Sequence, residues 1–310
     1  MAFAPEHHGL TEADFARLKS VTETRLADLV PDQGGPARAA RHSLLSPAKR
    51  LRAIMTMLAA RQCGGLEEDA LDAACAVEMV HTASLIFDDL PAMDDAALRR
   101  GVPSTHVAFG EDVAILAGIG LMNGAFGVIA RDGQLSNGQK TRLVDILSAS
   151  IGWAGLVNGQ ALDLEQEMSQ PMSAGARKAA TLDELHHCKT GALFVAAVLS
   201  GAECAGADER TADHLCAYAR SIGLAYQAFD DVLDQIVDDA EAGKSTSRDA
   251  GKLTSVSLHG LDRARTMAEQ HIEDAIGHAR RAGGGDAPLA DLADFISRKF
   301  DEKFARTAAE

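Results

Sequence analysis

Three features of the 310-residue sequence predict an all-α fold. Apolar residues recur at helical spacing through nearly every segment. Alanine is abundant while aromatics make up only 4%, which favours closely packed helices over sheets. No run of alternating β-branched residues bounded by turns occurs, so no strand is expected.

Thr11 is placed to cap a first helix that runs to about Val30. Ser46 followed by Pro47 reads as a cap and a first-turn proline, opening "AKRLRAIMTMLAARQC". A long helix is expected from about Leu66 to Leu90-Pro91, where proline ends the hydrogen-bond ladder. Further helices are expected at roughly 111–131, 139–168, 182–203, 209–239, 259–281 and 289–306. Thr181 with Glu184 matches a capping box, and Asp208 stands where a cap is needed. The breaks "RDGQLSNGQ", "SQPMSAGARKA", "EAGKSTSRDAGK" and "RRAGGGDAP" have the composition of loops, and none has the look of an inter-domain linker. Residues 1–310 therefore read as a single domain of antiparallel helices, with its site in the bundle core between facing helices.

Composition narrows the partners. An apolar fraction of 46% supports a sizeable core, and a net charge of −15 argues against nucleic acid or an anionic membrane surface. A small anionic ligand stays compatible, because local charge can oppose the total. Five dispersed cysteines without a CxxC pair read as reduced thiols. The N-terminus has no signal-like pattern, and no window approaches eighteen continuous apolar residues. A cytoplasmic protein without a membrane span is expected.

Two stretches carry candidate chemistry. "FDDLPAMDDAALRRG" at 87–101 holds four aspartates within eight residues, then Arg99 and Arg100. "YQAFDDVLDQ" at 226–235 puts Asp230 and Asp234 on one helix face, with Gln227 a turn earlier. Asp88 and Asp94 are six apart, which on a straight helix points them about 120° from each other. A two-residue bulge at "LPAM" would return Asp94 to the place of an i+4 neighbour. Carboxylates gathered this way repel unless cations lie between them. Hard oxygen ligands without clustered thiols favour magnesium, whose remaining ligands are commonly water and phosphate oxygens. Lys49, Arg52, Arg99, Arg100, Lys189, Lys244 and Lys252 flank loops or helix ends, and a diphosphate held by both magnesium and arginine would explain the mixture of charges. "GKSTSRDAGK" is no P-loop, since no strand precedes it and the spacing fails; it reads as a lysine-bearing flap. A reading from another class rests on two Glu-x-x-His pairs, Glu78/His81 and Glu184/His187, as in carboxylate-bridged di-iron bundles. It leaves the aspartates and arginines without a role.

At these residues the chain resembles the trans-isoprenyl diphosphate synthases, most closely bacterial geranylgeranyl diphosphate synthases, over roughly 40–260. "DDLPAMDD…RRG" is similar to that family's first aspartate-rich motif in its inserted form, and "DDVLD" to its second. "EMVHTASLIFDDL", "HVAFGEDVAILAG", "GLVNGQALDLE", "CKTGALF" and "DAGKLT" match in order. The resemblance implies that Asp88, Asp94 and Asp230 hold three magnesium ions around an allylic diphosphate, supported by Asp89, Asp231 and Asp234. It assigns Arg99, Lys189 and Lys244 to that diphosphate, and Thr190 and Gln227 to the developing carbocation. Lys49, Arg52, His81 and Arg100 would hold isopentenyl diphosphate, with Lys252 closing over the site.

The implied activity is condensation of isopentenyl diphosphate with dimethylallyl, geranyl or farnesyl diphosphate by a homodimer. Ala83 and Ser84, just before Asp88, are where related fifteen-carbon synthases tend to carry an aromatic floor. The small Ala83, with Gly118 and Gly120 on a facing helix, implies geranylgeranyl diphosphate; farnesyl diphosphate synthase is the alternative. The chain departs from the family at "SPA" before Lys49, where two glycines are usual, and at Ala53, Ile119 and Leu253. A class I terpene cyclase would not need the second diphosphate site at Arg52 and Arg100, and a non-catalytic helical partner usually loses one acidic cluster.

Overall fold

A computed structural model describes residues 9–168, 182–241, 254–283 and 287–307. The helices group into two compact units, one of residues 1–148 with 196–208 and one of residues 149–195 with 209–310.

The first unit is organised on α4 (Leu71–Asp88), which a short 3-10 turn at Glu68–Ala70 precedes. This helix is apolar nearly all round, burying Ala73, Ala74, Cys75, Ala76, Val77, Met79, Val80, Ala83 and Ile86. A helix without a polar face must be covered on several sides. Around it pack α1 (Glu12–Leu29), α2 (Gly35–Leu44), α3 (Leu51–Gln62) and α6 (Glu111–Arg131). Thr11 caps α1 as expected, in a full capping box with Asp14. Against α6, the Phe87 ring lies over Gly118, where a Cβ would stand only 2.6 Å from Phe87 Cζ. Gly120 is different: a Cβ there would meet nothing within 4 Å, so Gly118 and not Gly120 lies in the contact between the two helices.

Several expected boundaries shift. Ser46-Pro47 does not open α3, which starts at Leu51 after Arg50 takes a left-handed φ of 55°. The unforeseen α2 lies upstream, a short element with Pro36 in its first turn. The segment 139–168 is two helices, α7 (Asn137–Ile151) and α8 (Leu156–Met168), parted by a turn at 152–155. A two-stranded ladder also forms where no strand was expected, β1 (Leu98–Arg99) pairing antiparallel with β2 (Val102–Pro103). The short α5 (Thr105–Phe109) follows it.

The second unit holds α8, a helical stretch at 182–186 (α9), a π-helical turn at His187–Gly191, and the start of α10 (Ala192–Cys204). It continues with α11 (Glu209–Glu241), α12 (Ser255–His259), α13 (Leu261–Ala282) and α14 (Pro288–Thr307). Asp208 immediately precedes α11, as its proposed capping position requires, whereas Thr181 lies outside the described residues. Phe229 of α11 stacks on Phe300 of α14 with ring centres 3.9 Å apart, and the buried Tyr218 hydroxyl donates to Leu289 O at 2.9 Å. Gly159 of α8 lies against the π turn so closely that a Cβ would stand 2.5 Å from Lys189 N.

Two helical stretches, 68–88 and 111–131, are long and apolar enough by composition to cross a membrane. The first has 67% of its apolar window buried inside the fold. The second leaves Ile115, Leu116 and Ile119 exposed on α6.

Gly159→Ala should force α8 and the π turn apart, because backbone rather than a flexible side chain lies in the way. The expected loss is about 1–3 kcal/mol, read as a lower thermal or urea midpoint. An unchanged midpoint would contradict this packing.

Candidate active site

Regular helix ends at Asp88, with Asp89 as its C-cap. Asp94 N then donates to Asp88 O at 2.8 Å, a bond that i+4 would supply in an uninterrupted helix. The inserted "LPAM" turn thus returns Asp94 to the helix end, as its spacing predicts. Asp95 N donates to Leu90 O and Ala96 N to Asp89 O, fixing the rest of the loop.

The chain next reverses through Arg100 and Gly101, with φ of 55° and 78°. Positive φ at both central residues is the signature of a tight hairpin turn whose twist suits the paired strands. Arg99 lies in β1 and Arg100 at the tip, so the two arginines leave the backbone in different directions. His42 of α2 anchors this hairpin, its Nε2 donating to Pro103 O at 2.8 Å.

Arg99 forks onto Asp89, with its Nε at 2.8 Å from Oδ1 and a second guanidinium nitrogen on the same oxygen. Burial pushes the Asp89 carboxyl above its ordinary value, and Arg99 opposes this. Burial also works against the Arg99 charge, but Asp89, Asp88 and Asp94 outweigh it and its pKa is raised. On α3, Arg52 Nη1 lies 3.1 Å from His81 Nε2 of α4. Burial first, then Arg52 and Arg100, holds His81 well below the usual imidazole value, so its ring is neutral and accepts from Arg52. Lys49 is exposed nearby in sequence. Ala83 is fully buried, and the Ser84 hydroxyl donates to His81 O at 2.9 Å.

The second cluster is built on α11 and the π turn. Thr190 Oγ1 donates to Gln227 Oε1 at 3.2 Å, and Gln227 Nε2 donates to Asp231 Oδ1 at 3.0 Å. Asp231 is buried and also accepts Ser255 N at 2.7 Å on Oδ2. Its donors hold the middle aspartate in place, while Asp230 is part-exposed and Asp234 exposed. Lys189 pairs with Asp163 of α8. His186 is buried, and burial lowers its pKa against the opposing charges of Asp231, Asp183 and Asp163. Lys244 and Lys252 lie outside the described residues.

Two partners escaped the sequence reading. Asp163 sits within "GLVNGQALDLE", and its position three residues after Gln160 was the available signal. Arg50 is the other: its guanidinium is buried, donating to Leu44 O and Ser46 O at 2.6 and 3.1 Å. Glu78 accepts Ala53 N at 3.2 Å and lies 3.7 Å from Arg50 Nη1, while Glu184 is exposed. Those placements give neither glutamate the setting of a di-iron ligand. Among the described residues no three carboxylate, imidazole or thiol groups gather as a metal cage. Carboxylate-only clusters still suit magnesium, which keeps water and takes phosphate oxygens.

Helices arranged this way, with two aspartate-rich segments, define the all-α isoprenoid synthase class. The polyprenyl synthetase family model matches residues 37–286, and the chain belongs to that family. It is 40% identical to geranylgeranyl diphosphate synthase of Pantoea ananas over 97% of this chain and 98% of the relative. The enzyme of that name from Cyanophora paradoxa is 40% identical, over 90% of this chain and 93% of its own. Among solved structures, an FPP/GFPP synthase from Zymomonas mobilis superposes with a TM-score of 0.78 at 32% identity, covering 91% of this chain and 97% of that one.

In a histidine NMR titration, His81 should remain neutral at mildly acidic pH, below the ordinary imidazole pKa of about 6.5. Arg52→Ala should move its pKa upward by removing the nearest cation. An ordinary wild-type titration would contradict the buried cationic setting.

Proposed function

We propose that the protein is a short-chain prenyltransferase that joins isopentenyl diphosphate to allylic diphosphates and releases geranylgeranyl diphosphate. The observation that carries this reading is a second concentration of positive charge beside His81, comprising Arg52 and Arg100. One diphosphate engaged by the aspartate clusters would not need it. A substrate pair, each bearing a diphosphate, would use both.

Asp88, Asp94 and Asp230 are the proposed magnesium ligands, with Asp89, Asp231 and Asp234 in support. Magnesium, when bound, supplies positive charge that stabilises the departing diphosphate. Arg99, Lys189 and Lys244 bind that diphosphate, so the allylic C–O electron pair leaves with it. Arg99 and Lys189 are held ready by Asp89 and Asp163. Thr190 and Gln227 offer oxygen dipoles to the allylic cation, and the Gln227–Asp231 bond orients the amide. Lys49, Arg52, His81 and Arg100 orient isopentenyl diphosphate so that its double bond attacks the cation. A carbon–carbon bond forms, and a proton then passes to the released diphosphate, regenerating an alkene in a longer allylic diphosphate. Exclusion of water, the role assigned to Lys252 in this reading, protects the cation from hydrolysis.

Homodimer formation and a cytoplasmic location belong to the same proposal. The exposed Ile115, Leu116 and Ile119 of α6 suit burial against a second copy. Five unpaired cysteines suit a reducing compartment.

Product length rests on Ala83. It shares an α4 face with Met79 and Phe87, the residues that meet Gly124 and Gly118 of α6. Wild-type enzyme given isopentenyl diphosphate, magnesium and each allylic primer should release mainly the twenty-carbon product. Ala83→Tyr should shift release to farnesyl diphosphate while the first condensation survives. A fifteen-carbon wild-type product, or a Tyr variant still making twenty carbons, would overturn this assignment. No condensation at all would overturn the function itself.

A further inference from the structure

Beneath the arginines assigned to isopentenyl diphosphate lies a buried charge pair that the proposed chemistry does not use. Arg50 has its side chain fully enclosed and its backbone in the left-handed region at φ 55°. An arginine in that conformation is strained, and the surroundings must fix it. Its guanidinium does so by donating to Leu44 O and Ser46 O at the end of α2. It also reaches Glu23 of α1, with Nε at 3.3 Å from Oε1, and Glu78 of α4 at 3.7 Å. Glu78 returns the connection to α3 by accepting Ala53 N.

The pair is adjacent to the substrate-binding groups on both sides. Arg50 is two residues before Arg52 in sequence, and Glu78 is one helical turn before His81. Arg52 and His81 meet at 3.1 Å, and Arg50 is among the charges that act on His81. Burial first, with Arg50, Arg52 and Arg99, lowers the pKa of Arg100, and Glu78 is the charge that opposes them. One buried carboxylate therefore offsets charge on both Arg50 and Arg100, which with Arg52 would otherwise repel one another before any anion arrives.

We propose that Arg50 and Glu78 are positioning residues that fix the start of α3 and the spacing of Arg52, His81 and Arg100 for the homoallylic diphosphate. This rests on the assignment of that subsite in the proposed function. Neither side chain touches substrate. Arg50 joins α1, α2 and α4 at the point where α3 begins, and Glu78 holds the first turn of α3 through Ala53 N. Lysine at position 50 keeps the charge but has no planar fork, so it cannot serve two carbonyls and a carboxylate together.

The test compares full-length wild-type enzyme with Arg52→Ala, Arg50→Lys and Glu78→Gln, measuring kcat, both substrate KM values and the melting midpoint. Arg50→Lys and Glu78→Gln should each raise KM for isopentenyl diphosphate about tenfold, with the allylic KM within about twofold of wild type. A purely structural pair would instead reduce the active fraction, or shift both KM values together, and either result overturns the proposal. Should Arg50→Lys fail to fold, Glu78→Gln, an isostere that still accepts from Ala53 N, decides by the same split. Arg52→Ala separates this inference from the reading beneath it. If it leaves the isopentenyl KM unchanged, the subsite itself is misplaced and both fall. If it raises that KM while the other two variants do not, only the positioning role falls.

Discussion

Carboxylates gathered at the end of α4 and within α11 repel one another and lose solvation where they are buried, and the architecture around them answers that constraint. Asp89 shows the strain directly: burial favours its protonated form, and the Arg99 fork opposes this. Asp231 is satisfied by a side-chain amide and a backbone N–H instead of a cation. Lys189 and Asp163 pair with each other. These contacts leave each cluster with supporting residues already committed and with other aspartates, notably Asp230 and Asp234, more open to solvent. Such a division suits a site that gathers hard cations only together with an anionic ligand.

Regular secondary structure is interrupted at several positions that carry chemistry, although Gln227, Asp230, Asp231 and Asp234 lie within the continuous α11. The "LPAM" insertion lies between Asp88 and Asp94, and the hairpin tip holds Arg100 in a left-handed conformation. A π turn contains Lys189 and Thr190, and a second left-handed arginine stands just before α3. Each interruption points a polar group where a continuous α-helix would not. Local strain of this kind persists only where surrounding contacts fix it. Here the fixing groups are identifiable: His42 on the hairpin, Gly159 against the π turn, and Glu78 beneath Arg50.

Much of this was legible in the sequence, for reasons that differ between elements. Helical periodicity made the all-α class plain, and Thr11 fixed the first helix start. Pro91 and the six-residue separation of Asp88 from Asp94 were enough to anticipate the inserted turn, because both features act locally. The hairpin was not legible, since its strands are two residues long and its turn uses Arg-Gly rather than Asn-Gly. The short α2 carried too little periodicity to stand out, and Ser46-Pro47 imitated a helix start that Arg50 instead supplies. The π turn, the Asp163–Lys189 pair and the buried role of Glu78 depend on contacts far apart in sequence. Periodicity holds no record of such contacts, and Glu78 accordingly looked like half of a Glu-x-x-His pair.

The proposed function requires magnesium and a diphosphate to bind together through the aspartates of both clusters, so metal and ligand should strengthen each other's binding reciprocally. Calorimetric titration of magnesium into the full-length protein, with and without a non-ionisable allylic diphosphate analogue, measures that coupling. The account predicts that the analogue tightens magnesium binding about tenfold or more, a coupling of about 1.4 kcal/mol. It predicts loss of the coupling in both Asp88→Asn and Asp230→Asn. Equal magnesium affinity with and without the analogue, or full coupling retained in either variant, would contradict it.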